Sequence, residues 1–166
     1  VAPSSFHGQM HYLRETYLES IYKKKICIVR PTLIFGPLDP HNGYGPNLFI
    51  RNAINQKKIK LFGKGEELRD HIYINDLVKI CVNLILKKKY GIFNIVTGKV
   101  ISFFSIAKKI KKLMPDIKIT YKKRTMPMPH NGYRRLSNSK IKKIMPNFYF
   151  KNIDLAIKEI IDPKNL

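Results

Sequence analysis

The apolar residues of this chain switch period repeatedly, between the 3.6-residue spacing of a helix and the short β-branched runs of a strand. That alternation limits the fold more than any other feature. Residues 8–22 put Met10, Leu13, Tyr17, Leu18 and Ile21 on one helical face, and Ile26-Cys27-Ile28-Val29 reads as a buried parallel strand that Pro31 stops. Gly36-Pro37, Asp39-Pro40, Asn42-Gly43 and Gly45-Pro46 predict a long loop. Beyond it the pattern predicts a helix over 47–56, a strand over 59–62, a turn at Gly63-Lys64-Gly65, and a strand over 71–74. Asn75 is expected to cap a helix running to about residue 88. A strand over 90–96 and a turn at Thr97-Gly98 follow, then a helix capped by Ser102 and a strand over 117–121. The Pro- and Gly-rich stretch 122–133 reads as loop, and short helices over 137–144 and 153–161 close the chain. With no internal repeat and no dividing linker, the order points to an α/β or α+β architecture. The apolar face of the first helix needs partners that the sequence does not supply.

At 166 residues there is room for one domain or a piece of a larger one. A hydrophobic content of 44% excludes a disordered chain. No apolar stretch approaches the ~20 residues needed to cross a bilayer, and residues 1–10 carry no signal-peptide pattern. Cys27 and Cys81 lie in apolar segments and read as reduced core thiols, so a cytoplasmic location is expected. The formal charge of +21 is carried mostly by Lys. The runs Lys23-Lys24-Lys25 and Lys87-Lys88-Lys89 fall at predicted helix ends, while Lys108, Lys109, Lys111 and Lys112 suit a solvated helix face. A Lys-biased surface is the plain reading. An anionic small molecule fits this charge as well as a nucleic acid, and no helix-turn-helix, RNP or zinc pattern supports the latter.

Three segments stand out: Val29-Arg30-Pro31-Thr32-Leu33-Ile34-Phe35-Gly36-Pro37; Leu61-Phe62-Gly63-Lys64-Gly65 leading into Arg69-Asp70-His71-Ile72-Tyr73-Ile74-Asn75-Asp76-Leu77; and Gly91-Ile92-Phe93-Asn94-Ile95-Val96-Thr97-Gly98. In order and spacing they closely resemble the C-terminal half of the extended short-chain dehydrogenase/reductase family, the NAD-dependent nucleotide-sugar epimerases and dehydratases. The likeness runs from about residue 5 to 161. It implies the C-terminal portion of a Rossmann-like α/β fold plus a smaller α/β substrate-binding part, mostly residues 38–75 and 97–166. It also implies NAD or NADP as cofactor, a nucleotide-diphosphate sugar as ligand, and a homodimer joined through the first helix.

The resemblance assigns roles residue by residue. Arg69, whose rigid fork of donors suits a diphosphate, would clamp the sugar nucleotide; the alternative is an ion pair with Asp70 or Asp76. Phe62 would lie against the base, and Asn47, at a helix N-terminus, would line the diphosphate. Pro31, Thr32 and Leu33 would approach the nicotinamide, and Arg124, Arg134 and Arg135 are further anion candidates.

Two departures qualify the likeness. The family carries Tyr-x-x-x-Lys on the helix before the Arg-Pro strand. Counted back from Glu15, this chain has His7 at the Tyr position and His11 at the Lys position, where it would also meet the nicotinamide ribose. An imidazole can exchange a proton near neutral pH, but a neutral His11 supplies no fixed charge. His7 and His11 therefore mark either altered chemistry or lost catalysis, the latter leaving a non-catalytic sugar-nucleotide-binding relative. The second departure is that the glycine-rich dinucleotide loop has no counterpart in the chain, so the N-terminal dinucleotide-binding half is expected to be absent, and the chain alone is not expected to turn over. No metal is expected, because the His pair lacks the Glu of an HExxH motif.

Overall fold

A computed structural model describes residue 3, residues 5–23 and residues 25–162; Lys24 of the first basic run lies outside the described residues. The first helix, α1 (Phe6–Ile21), starts where Ser5 accepts a hydrogen bond from the Gly8 amide at 3.1 Å. It is followed by strands β1 (Cys27–Pro31) and β2 (Leu33–Phe35), helix α2 (Pro46–Gln56), and strands β3 (Lys58–Phe62), β4 (Leu68–Arg69) and β5 (His71–Tyr73). Next come helix α3 (Ile74–Leu86), strands β6 (Gly91–Ile95) and β7 (Ile101–Ser102), helix α4 (Phe103–Leu113) and strand β8 (Lys118–Lys122). A 3-10 turn at Pro129–Gly132, strand β9 (Tyr133–Arg134) and helices α5 (Ser139–Ile144) and α6 (Ile153–Ile161) complete the order.

Strands pair mostly in parallel: β1 with β6, β2 with β5, and β3 with β8. In the remaining sheet β4 lies between antiparallel β7 and parallel β9. Parallel neighbours joined through helices give the α/β class that the alternation predicts.

Two apolar cores result. One joins Phe49, Ile50 and Ala53 of α2, Ile59 and Leu61 of β3, Ile106 and Ile110 of α4, and Ile157 of α6, with Phe35 and Tyr73. The other joins Ile72 of β5, Ile80 and Leu84 of α3, Phe93 and Ile95 of β6, and Ile141 of α5. The alternation of side chains along β5 divides it between them, with Ile72 facing one core and Tyr73 the other. Each fully buried Leu or Ile of these cores contributes about 1.5–3 kcal/mol relative to exposure.

The structure corrects several expectations. Leu33–Phe35 is a strand rather than the start of the loop, because its backbone finds a parallel partner in His71–Tyr73. β1 ends at Pro31, as expected, and includes that residue. Asn75 does not cap α3; Tyr73 holds that position without a side-chain bond, and Asn75 sits exposed in the first turn. The Lys87 run begins just past the last turn of α3. Cys27 and Cys81 are free thiols but only half-buried, and burial pushes both pKa values up.

Helix α1 is the outlier. None of its residues is buried; Phe6, Leu13 and Tyr17 are largely exposed. A bidentate pair between Arg30 of β1 and Glu15 ties it to the sheet, and that hydrogen-bonded pairing raises the Arg30 pKa. Among the described residues no helix is long and apolar enough to cross a membrane.

Candidate functional site

The ends of three ladders converge on a cleft of about 490 Å³. The β1–β2 junction delivers Pro31, Thr32 and Leu33 to its edge; β3 delivers Phe62; and β4, with the residue just before it, delivers Arg69 and Glu67. Arg124, Pro129, His130 and Arg134 arrive from the segment after β8, while Tyr44 and Phe103 form the aromatic wall.

Local rules explain the positions. Side chains two apart on an extended strand share a face, so Glu67 and Arg69 point the same way, and both are buried. Arg69 pairs in register with Arg134 of β9. Phe62 and Lys122 end the β3–β8 ladder together, which leaves Arg124 two residues on, within reach of Glu67. Gly63 and Gly65 make the intervening turn with φ of +57° and +70°. A Cβ on Gly65 would lie 2.9 Å from the Phe104 amide nitrogen, which only glycine avoids.

The polar network is dense. Arg69 donates to the Glu67 carboxylate, to the Leu68 carbonyl at 2.8 Å and to the Pro129 carbonyl at 2.6 Å. Arg124 donates to the other Glu67 oxygen at 3.0 Å, while its Nε is buried without a partner among the described residues. Arg134 donates to His130 Nε2 at 3.2 Å. Burial pulls the Arg69 pKa down, Glu67 opposes the shift, and Arg134 and Arg124 add to it. His130 is likewise lowered, by burial first and then by Arg134 and Arg69. Tyr44 receives a hydrogen bond from the Phe62 amide at 3.0 Å, and its ring centroid lies 5.0 Å from that of Phe62 and 4.5 Å from that of Phe103. The result is a basic cleft with one aromatic side, able to hold an anion beside a flat ring.

Of the residues singled out in the sequence, the cleft unites Pro31, Thr32, Leu33, Phe62 and Arg69 with Arg124 and Arg134. Arg69 pairs with Glu67, not with Asp70 or Asp76. Asn47 is elsewhere: its amide donates to Asp39 and accepts from the Gly36 amide, which closes the long loop onto α2, and it lines a separate hollow of about 180 Å³. Arg135 also lies outside the lining and donates to the Gly98 carbonyl at 3.1 Å. His7 and His11 are exposed on α1, do not line the cleft, and hydrogen-bond to one another through Nε2 atoms 3.2 Å apart. Among the described residues no group of three or more His, Cys, Asp or Glu is placed to hold a metal. Sequence reasoning missed Glu67, Tyr44, Phe103 and His130. The period-2 relation of Glu67 to Arg69 is the signal that could have found the first.

Comparison with known proteins matches residues 1–96 to the model of the NAD dependent epimerase/dehydratase family. That match lies in the N-terminal part of this chain, and the reading of the chain as the C-terminal half of such an enzyme gains no support from it. The chain is 28% identical over 167 residues to an ADP-L-glycero-D-manno-heptose-6-epimerase of Brachyspira hyodysenteriae, covering 94% of this chain and 51% of that protein. Its fold is similar to that of TunA, an NAD dependent NDP-hexosamine 5,6-dehydratase, with TM-score 0.85 at 18% identity over 98% of this chain and 54% of that one. It is also similar to the UDP-glucose 4-epimerase of Thermotoga maritima, solved with UDP-glucose, with TM-score 0.82 at 24% identity over 97% and 53%. The chain thus spans about half the length of these relatives.

Proposed function

The chain belongs to the NAD dependent epimerase/dehydratase family, and from that premise we propose that its cleft binds a nucleotide-diphosphate sugar for NAD(P)-dependent epimerase or dehydratase chemistry. One observation carries the reading: a single cleft joins three guanidinium groups to an aromatic wall of Tyr44, Phe62 and Phe103. The diphosphate would meet Arg124, Arg134 and Arg69, and the base would lie along Phe62 and Tyr44. Residues 38–75 and 97–166, which supply every lining side chain except Pro31, Thr32 and Leu33, would form the substrate-binding part.

The chain's own residues do not fit a complete dinucleotide site. The sequence has no G-x-G-x-x-G loop to cradle a pyrophosphate. Thr32 commits its hydroxyl to the Asp70 carbonyl at 2.9 Å, and Pro31 and Leu33 offer only an apolar edge. No hydride step is therefore assigned to this chain alone; its part is to bind and orient the sugar nucleotide.

A second reading is favoured by the exposed His7–His11 pair, which the sequence likeness aligns with the family's Tyr and Lys: a sugar-nucleotide binder without that catalysis. Titration calorimetry with UDP-, dTDP- and ADP-sugars, against the sugar phosphates lacking a nucleotide, tests the binding shared by both. Saturable heat with the diphosphate sugars only is expected. Binding to oligonucleotides alone, steeply dependent on salt, would overturn it. Replacing His7→Tyr and His11→Lys in a full-length version that also carries a dinucleotide-binding half separates the two readings, because gained turnover marks lost catalysis and reduced turnover marks imidazole chemistry.

A further inference from the structure

We propose that Glu67 is an internal competitor for the cleft's anion: its carboxylate bridges Arg69 and Arg124, and an anionic ligand must displace it. The inference rests on reading the cleft as a diphosphate site. Each Glu67 oxygen takes a different guanidinium, one from Arg69 and the other from Arg124 at 3.0 Å. Two guanidinium groups held on the two oxygens of one carboxylate are also spaced to share an incoming phosphoryl group.

The surrounding donors show which arginine would be released. Arg69 remains fixed without Glu67, because it also donates to the Leu68 and Pro129 carbonyls. Among the described residues Arg124 has no bond other than the one to Glu67, and its Nε is a buried donor without an acceptor. Buried donors are rarely left unpaired, and a ligand oxygen between Nε and the terminal nitrogen would satisfy both. Arg124 is thus the ligand-facing cation, and Glu67 the group that holds it back.

Charge counting agrees. Three arginines against one glutamate leave the lining at 3 − 1 = +2; Glu67 therefore lowers the attraction for an anion and makes the cleft selective for one charged enough to compete. A diphosphate diester, with one charge on each phosphorus, meets that requirement, whereas a singly charged ligand does not.

The test is calorimetric titration of the full chain with inorganic pyrophosphate, and in parallel with a nucleotide-diphosphate sugar, for the native sequence and for Glu67→Gln. The amide keeps the shape and loses the charge. The dissociation constant for pyrophosphate is expected to fall about tenfold or more, as for loss of one close charge interaction. Glu67→Asp, one methylene shorter, cannot bridge both guanidinium groups and is expected to tighten binding by a smaller factor. Unchanged or weaker binding in either variant would make Glu67 a positioning residue for the arginines and overturn the proposal. If pyrophosphate tightens while no nucleotide sugar binds, the competitor role stands and the substrate reading falls; if nucleotide sugars bind equally to all three proteins, the reverse holds.

Discussion

Asp70 and Thr97, 27 residues apart, are joined by two hydrogen bonds into one carboxylate oxygen: from the Thr97 amide at 3.1 Å and from its hydroxyl at 2.9 Å. The other oxygen accepts from the Gly98 amide at 2.7 Å, and the Asp70 carbonyl accepts from the Thr32 hydroxyl at 2.9 Å. One residue thus pins the exit of β6 and the β1–β2 junction beside the cleft. Burial pushes its carboxyl pKa up, against the hydrogen bonds from Thr97, Gly98 and Lys99.

Asp70→Asn keeps the size but turns an NH2 toward one of these donors. Chemical denaturation is expected to show a loss of about 1–3 kcal/mol, the range for leaving buried polar groups unsatisfied. A loss under ~0.5 kcal/mol would mean that the turn at Thr97-Gly98 holds itself.

His71 makes stability depend on pH. Among the described residues neither ring nitrogen makes a well-formed hydrogen bond, the ring packs edge-on against Phe35 and Phe103, and burial pulls its pKa down to about 4 from 6.5 against a weak opposing contact with the Arg69 backbone. Between these values the unfolded chain binds the extra proton, so stability rises with pH across the window. The contribution is fully present above pH 6.5 and is lost as the pH falls toward 4, a total of about 3 kcal/mol. Urea midpoints at several pH values check this; His71→Phe should remove most of the dependence, and an unaltered slope would place its source elsewhere.

The two arginines on Glu67 should separate in their effects. Arg69→Gln leaves the buried Glu67 with one partner and cuts the tie to Pro129, costing about 3–5 kcal/mol of stability. Arg124→Gln also leaves Glu67 with one partner but cuts no tie to Pro129, so it should cost less stability than Arg69→Gln, yet lower affinity for a nucleotide-diphosphate sugar about tenfold or more. Thermal melts paired with calorimetry read both. Equal effects of the two substitutions would contradict the division of labour.

Helix α1 should open independently of the rest. It buries no residue, and Glu15–Arg30 is a partly exposed pair of the kind worth about 0–1 kcal/mol. Hydrogen exchange of residues 6–21 is expected to run well ahead of α4, and Glu15→Ala to accelerate it while leaving both cores protected. Protection of α1 equal to that of α4 would refute this.

Much of this fold is local and therefore legible. The helical stripe of α4 is set by Ile106 and Ile110 with lysines opposite, and Ser102 caps it by accepting from the Ser105 amide at 3.0 Å. Strand β2 was not legible, because three residues between prolines become a strand only when β5, nearly forty positions away, offers its edge. Asn75 has the chemistry of a cap, but β5 runs straight into α3 and leaves it inside the first turn. At the site, Phe62 and Arg69 were readable from their motif. Asn47 was misplaced because its partner, Asp39, lies across a loop whose course no periodicity encodes. Glu67 resembled any surface carboxylate until two arginines closed over it.

The division of β5 between two cores makes the segment 69–73 a ruler for the whole molecule. Ile72 belongs to one core, Tyr73 to the other, and Arg69 to the cleft. Inserting or deleting one residue here would not damage one contact at a time: it would exchange the inside faces of both cores and turn the guanidinium away from the cleft in the same step. Packing and recognition share one reading frame, so any sequence change that preserves either must preserve the parity of this stretch.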